Sequence, residues 1–83
     1  MTYRSRDEIT ASLLQYAAEK GTIAKTKMMY NSFLSYSQLL QYLEFLTSNA
    51  LLKYDKLDKK YKITSKGLEF LDVYNKIEKL VKI

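Results

Sequence analysis

The chain has 83 residues, enough for one small domain, and contains neither Cys nor His. That inventory excludes disulfides, thiolate and imidazole zinc sites, Cys or Ser-His nucleophile pairs and imidazole proton shuttles. Lys and Arg total 14 against 9 Asp and Glu, and the resulting charge of +5 with a pI near 9.4 favours a polyanionic partner.

The opening MTYRSRDE lacks the apolar run of a signal peptide, and no window approaches about 18 uninterrupted apolar residues, so a soluble, cytoplasmic protein is expected. Ser5 and Glu8 have the spacing of a capping box, with Asp7 and Glu8 in the first turn where the helix dipole favours acids. Ile9, Leu13, Leu14 and Ala17 then share one face of a first helix, which ends near Lys20 with Gly21 as its closing residue. Arg4 and Arg6 flank its start, either as phosphate contacts or as solvated terminal charges. From Thr22 a short second helix is expected, with Ile23 or Met28 and Met29 as apolar contacts; the methionines read as core filler. Asn31 and Ser32 supply a turn, and Phe33 with Leu34 return the chain to the core.

The strongest start signal in the chain follows. Ser35 caps a helix over residues 35–49, Gln38 completes an S-x-x-Q capping box, and Leu34 with Leu39 make a hydrophobic staple. Leu39, Leu43 and Leu46 form the buried stripe, leaving Ser37, Gln38, Gln41 and Glu44 on the outer face. Two helices joined by a short turn, the second with an exposed polar face, make a helix-turn-helix.

Across residues 51–63 the period becomes two. Leu52, Tyr54 and Lys56 alternate with Lys53 and Asp55, and Tyr61 and Ile63 alternate with Lys60 and Lys62 around a turn at Leu57-Asp58-Lys59. This predicts a basic β-hairpin, a wing, whose apolar face lies on the helices because two strands alone are marginal. Thr64 caps a final helix, and Leu68 and Leu71 are expected to pack back on the domain. Phe70, Val73, Tyr74, Ile77, Leu80 and Val81 form a seam of coiled-coil type running off the end of that helix. A second copy of the chain is the simplest cover for the seam; folding back on its own domain is the alternative. The expected fold is mainly α with a small hairpin, a winged helix-turn-helix over residues 1–64 followed by a dimerisation helix over 65–83.

KTKMMYNSFLSYSQLLQYLEFLTSNALL followed by YKITSKGLEFL resembles the small archaeal winged-helix DNA-binding proteins. These include the ten-kilodalton dimeric nucleoid-associated proteins of Sulfolobus and related archaeal transcriptional regulators. The resemblance is carried by Thr26, Met29, Tyr30, Leu34, Ser35, Tyr36, Tyr42, Leu43 and Leu46. Tyr61, Thr64, Lys66, Gly67, Glu69 and Leu71 continue it into the last helix. It implies double-stranded DNA as ligand and a homodimer paired through the last helix as an antiparallel coiled coil. Two departures stand out: the last helix stops at Ile83, and the 35–49 helix has no Lys or Arg for arginine-type guanine readout.

For duplex DNA, phosphate contacts would come from Lys25, Lys27, Lys53, Lys56, Lys59, Lys60 and Lys62, with Ser35 and Tyr36 at the start of the third helix. Base readout would fall to Ser37, Gln38 and Gln41, since Gln pairs with adenine N6 and N7. The bland counterparts are a Gln38 occupied by its capping box, half-buried Tyr36 and Tyr42, and hairpin lysines that only block an exposed edge. Asp55 and Asp58, interspersed with lysines, read as ordinary carboxylates, so neither catalysis nor a metal or cofactor is expected. The leading expectation is a sequence-preferring transcriptional regulator. A nucleoid-associated coating protein and a winged-helix protein-interaction module are the alternatives.

Overall fold

A computed structural model describes residues 5–81. Its elements run α1 (Arg6–Lys20), β1 (Thr22–Ile23), α2 (Lys25–Ser32), α3 (Tyr36–Ser48), β2 (Leu52–Asp55), β3 (Lys60–Ile63) and α4 (Ser65–Val81). This is the winged helix-turn-helix architecture read from the sequence, with one strand more than expected.

Both capping boxes form. Ser5 Oγ accepts from Glu8 N and Glu8 Oε1 from Ser5 N, both at 3.1 Å, and α1 ends on Gly21, whose φ of 81° suits a residue without Cβ. Leu13, Leu14 and Ala17 of α1 meet Met28 of α2, Leu39, Leu43 and Leu46 of α3, and Leu71 of α4 in a single core. Leu39 is buried and Leu34 half-buried, as the staple requires.

Four local expectations are corrected. Thr22 and Ile23 do not open the second helix; they pair with Lys62 and Tyr61 of β3 and complete a three-stranded antiparallel sheet of order β1-β3-β2. The third strand buries Ile23 and relieves the hairpin of standing alone. Asn31 and Ser32 belong to α2, and the turn is made by Phe33 in the left-handed region (φ 60°), a residue 91% exposed and not in the core. Leu68 is also exposed, because α4 buries Gly67 and Leu71 on its inner side and turns residue 68 outward.

The chain between α3 and α4 is closed by one cluster of polar contacts. Thr64 Oγ1 donates to the Ala50 carbonyl at 2.6 Å, lies 3.1 Å from that of Leu51, and accepts from Gly67 N at 3.0 Å as the cap of α4. Lys66 Nζ donates to the Asn49 carbonyl at 2.9 Å, a cation on the negative end of α3. Gly67 sits where a Cβ would press on the Leu51 carbonyl oxygen and stand 2.6 Å from Ile63 Cγ1. Gly67→Ala gains about 1 kcal/mol of helix propensity, but displacing backbone and a packed isoleucine costs about 1–3 kcal/mol. The variant is therefore expected to be less stable in urea unfolding, and an unchanged or raised midpoint would refute the close approach.

Candidate nucleic-acid interface

The outer face of α3 carries Ser37, Gln41, Glu44 and Ser48, all exposed, opposite the buried leucines. Its start is fixed by Ser35, whose Oγ accepts from Gln38 N at 3.2 Å, while Gln38 Oε1 accepts from Ser35 N at 3.0 Å. Ser35 Oγ and Ser37 Oγ lie 3.5 Å apart. The three readout candidates therefore differ. Gln38 has its amide oxygen held by the cap, and a bidentate bond to adenine needs that oxygen together with the amide nitrogen. Gln41 and Ser37 are clear of such a restraint.

Positive charge absent from α3 is supplied to its flanks by other elements. On one side the Arg6 guanidinium of α1 lies 4.1 Å from the Phe45 ring centroid, in a shallow hollow also lined by Gln41 and Tyr42. On the other, Lys25 Nζ of α2 lies 5.7 Å from the Tyr36 ring centroid. Tyr36 is exposed and Tyr42 half-buried. Lys27 is exposed on α2, and Arg4 lies outside the described residues. Exposed Tyr30 and Phe33 stand at the turn between α2 and α3, an aromatic edge that sequence reasoning assigned to the core in the case of Phe33.

The sheet register divides the hairpin lysines. Leu52 pairs with Ile63 and Tyr54 with Tyr61 on the face toward the helices. Lys53 pairs with Lys62 on the other face, where Lys60 and Thr22 line the same hollow. Two lysines directly opposite each other repel, so this pair is a cost to the free protein. Lys56 and Lys59 are at the tip, where Asp55 Oδ1 accepts from Leu57 N at 2.9 Å and Asp58 N at 3.4 Å and shapes the turn. Among the described residues none of these five lysines forms a salt bridge; the ion pair present joins Lys76 to Asp72 on α4.

Two residues of the site read in the sequence only as strand positions. Tyr54 and Tyr61 pack with ring centroids 4.9 Å apart, and both line an open hollow between the end of α3 and the hairpin. Burial pushes the Tyr61 phenol above its usual 10.0, the Lys25 ammonium draws it back, and the phenols of Tyr54 and Tyr36 add to the rise. Tyr61 therefore keeps its proton at neutral pH. Only the alternating pattern of the strands pointed toward such a pair, and it did not say what the pair would face.

On α4, Val73, Ile77, Leu80 and Val81 are exposed, at 49, 52, 85 and 66%. Phe70 and Tyr74 are half-buried against the core, with rings stacked at 6.2 Å, so they sit between the exposed stripe and the domain. No group of three or more metal-ligating side chains occurs among the described residues, and no described helix is long and apolar enough to cross a membrane.

Three helices, a hairpin behind the second helix of the helix-turn-helix pair, and a closing helix define a winged helix-turn-helix protein. The family model for the winged helix-turn-helix matches residues 3–82, and the chain belongs to that family. Its fold is similar to the crystal structure of Sso10a-2, a DNA-binding protein from Sulfolobus solfataricus. The TM-score is 0.81 at 22% identity, over 93% of this chain and 81% of that one. No curated protein sequence matches.

The different states of the two glutamines can be separated by stability alone. Gln38→Ala removes half of a capping box and is expected to lower stability by about 0.3–1.5 kcal/mol. Gln41→Ala should stay within about 0.5 kcal/mol of the parent, as surface changes do. Denaturant unfolding of both variants checks this, and equal effects would contradict the assignment.

Proposed function

We propose that this chain binds double-stranded DNA as a homodimer, with α3 in the major groove and the β2–β3 hairpin as a wing against the adjacent backbone. The observation that carries this is the distribution of charge around α3. Its outer face has no cation, while Arg6 and Lys25 flank it; among the described residues neither they nor Lys27 nor the wing lysines form a salt bridge, although Lys60 stands opposite Asp55. A helix seated in a groove meets base edges with its outer face and the bordering phosphates with its flanks. Affinity then comes chiefly from counterion release at Arg6, Lys25, Lys27, Lys53, Lys56, Lys59, Lys60 and Lys62, helped by Ser35 and Tyr36 at the start of the helix. The winged-helix neighbour from Sulfolobus, described as a DNA-binding protein, supports the same ligand.

Readout rests on Gln41, with Ser37 as a weaker partner. One bidentate Gln–adenine pair discriminates by about 1–3 kcal/mol, so two half-sites supply about 2–6 kcal/mol. Specific regulators typically exceed their non-specific binding by about 4–10 kcal/mol. Sequence preference is thus modest, and the occupied amide of Gln38 favours a coating, nucleoid-type role over a strongly selective transcriptional regulator. Selection from a random duplex pool tests this. A weak consensus abolished by Gln41→Ala is expected, and a strong operator that survives that change would restore the regulator.

The dimer would pair the stripe Val73, Ile77, Leu80 and Val81 with its copy, with Phe70 and Tyr74 at the rim. Ile77→Lys is expected to halve the mass seen by sedimentation and to weaken DNA binding, leaving the protomer folded. A parent protein that is monomeric at all concentrations would remove the dimer and promote a protein-interaction role for this helix. At the wing, Lys56→Ala and Lys59→Ala should each reduce the salt slope of binding by about one. An unchanged slope would mean that the tip does not touch phosphate.

A further inference from the structure

Lys25, Tyr36, Tyr54 and Tyr61 come from four different elements and gather in the angle between α3 and the hairpin. Tyr54 and Tyr61 are cross-strand partners in ring contact, Lys25 lies over Tyr36, and the Tyr61 phenol is within electrostatic reach of the other three. Among the described residues, none of the three hydroxyls nor the Lys25 ammonium has a hydrogen-bond or ion-pair partner. The hollow floored by Tyr54 and Tyr61 is lined further by Thr47, Lys53 and Thr64 and contains no carboxylate. Three phenols that can each donate and an ammonium, with no carboxylate lining the hollow, suit a ligand that brings acceptors and negative charge.

We propose that Lys25, Tyr36, Tyr54 and Tyr61 form a cradle for one backbone phosphodiester, at the point where the sugar-phosphate strand passes between α3 and the wing. The inference rests on the DNA-binding function proposed above. A helix in the major groove is bordered by such a strand, and a hairpin reaching the next groove must straddle it, so the angle between them is where the backbone runs. Phosphate oxygens only accept hydrogen bonds, and Lys binds them as a point charge while each phenol adds a directed donor. Phenylalanine would fill the same space in the free protein. The Tyr61 hydroxyl adds a donor at the edge of the hollow that phenylalanine would lack. The two rings face each other at 49°, so they offer no flat platform to a splayed base.

The test uses the full chain and a short labelled duplex, with binding followed by fluorescence anisotropy across a salt series. Tyr54→Phe, Tyr61→Phe and Tyr36→Phe keep the rings and remove the donors. Each is expected to weaken binding about three- to tenfold, with an unchanged salt slope and an unchanged or higher melting temperature. Lys25→Ala should instead lower the slope by about one. The cradle is overturned if the three phenylalanine variants bind like the parent while the parent binds duplex normally. It is equally overturned if their loss of affinity tracks a drop in melting temperature, or if the parent prefers a single strand to the duplex. A parent that ignores duplex DNA altogether would sink the DNA-binding proposal itself, and the cradle with it.

Discussion

The geometry of the whole protein depends on the Thr64 hydroxyl and the bare Gly67 backbone behind it. That hydroxyl joins the end of α3 to the start of α4 through the Ala50 carbonyl and the Gly67 amide. Ala50, with φ 60°, and the Leu51 N–H, which donates to the Leu46 carbonyl at 2.8 Å, turn the chain out of α3 into β2. Lys66 holds the Asn49 carbonyl from the other side. The hairpin is spliced between two helices fixed end to end, so its angle to α3 is not free to vary. A wing that is to meet the same duplex as the helix before it needs that rigidity.

This junction also decides which charges remain for a partner. Lys66 is spent on α3, and Lys76 on Asp72. The lysines of the sheet are placed against one another at Lys53 and Lys62, where the free protein gains nothing from them. Arg6 and Lys25 rest on aromatic rings, which orient a cation without neutralising it. Basic side chains held in place but left uncompensated on both sides of α3 distinguish this surface from a merely soluble one.

The last helix serves two faces at once. Its first turns belong to the domain, since Gly67 and Leu71 are buried and Phe70 and Tyr74 lean on the core. Its later turns expose valine, isoleucine and leucine at helical spacing, the pattern of a face that needs a partner. The proposed pairing of copies would therefore start from turns that are anchored on the domain.

Capping boxes, the leucine stripe of α3, the hairpin and the run-off of α4 were legible because each is local: a start signal lies three residues from its partner, and a period repeats within one element. Thr22–Ile23 was not legible as a strand, because two residues become one only when β3, some forty positions away, lies beside them. Phe33 followed the rule that aromatic residues are inside, and the left-handed turn it occupies sends the ring outward. The occupation of the Gln38 amide was contained in the S-x-x-Q spacing itself, whereas the meeting of Arg6 with Phe45, or of Lys25 with Tyr36, was contained in no spacing at all. By itself the sequence determined the four helices, the hairpin and the apolar stripe of α3, because those follow from contacts within a few residues. Only the tertiary structure decided which cations flank α3 and which tyrosines converge beside it, because those depend on how separate elements pack and on the register of a sheet.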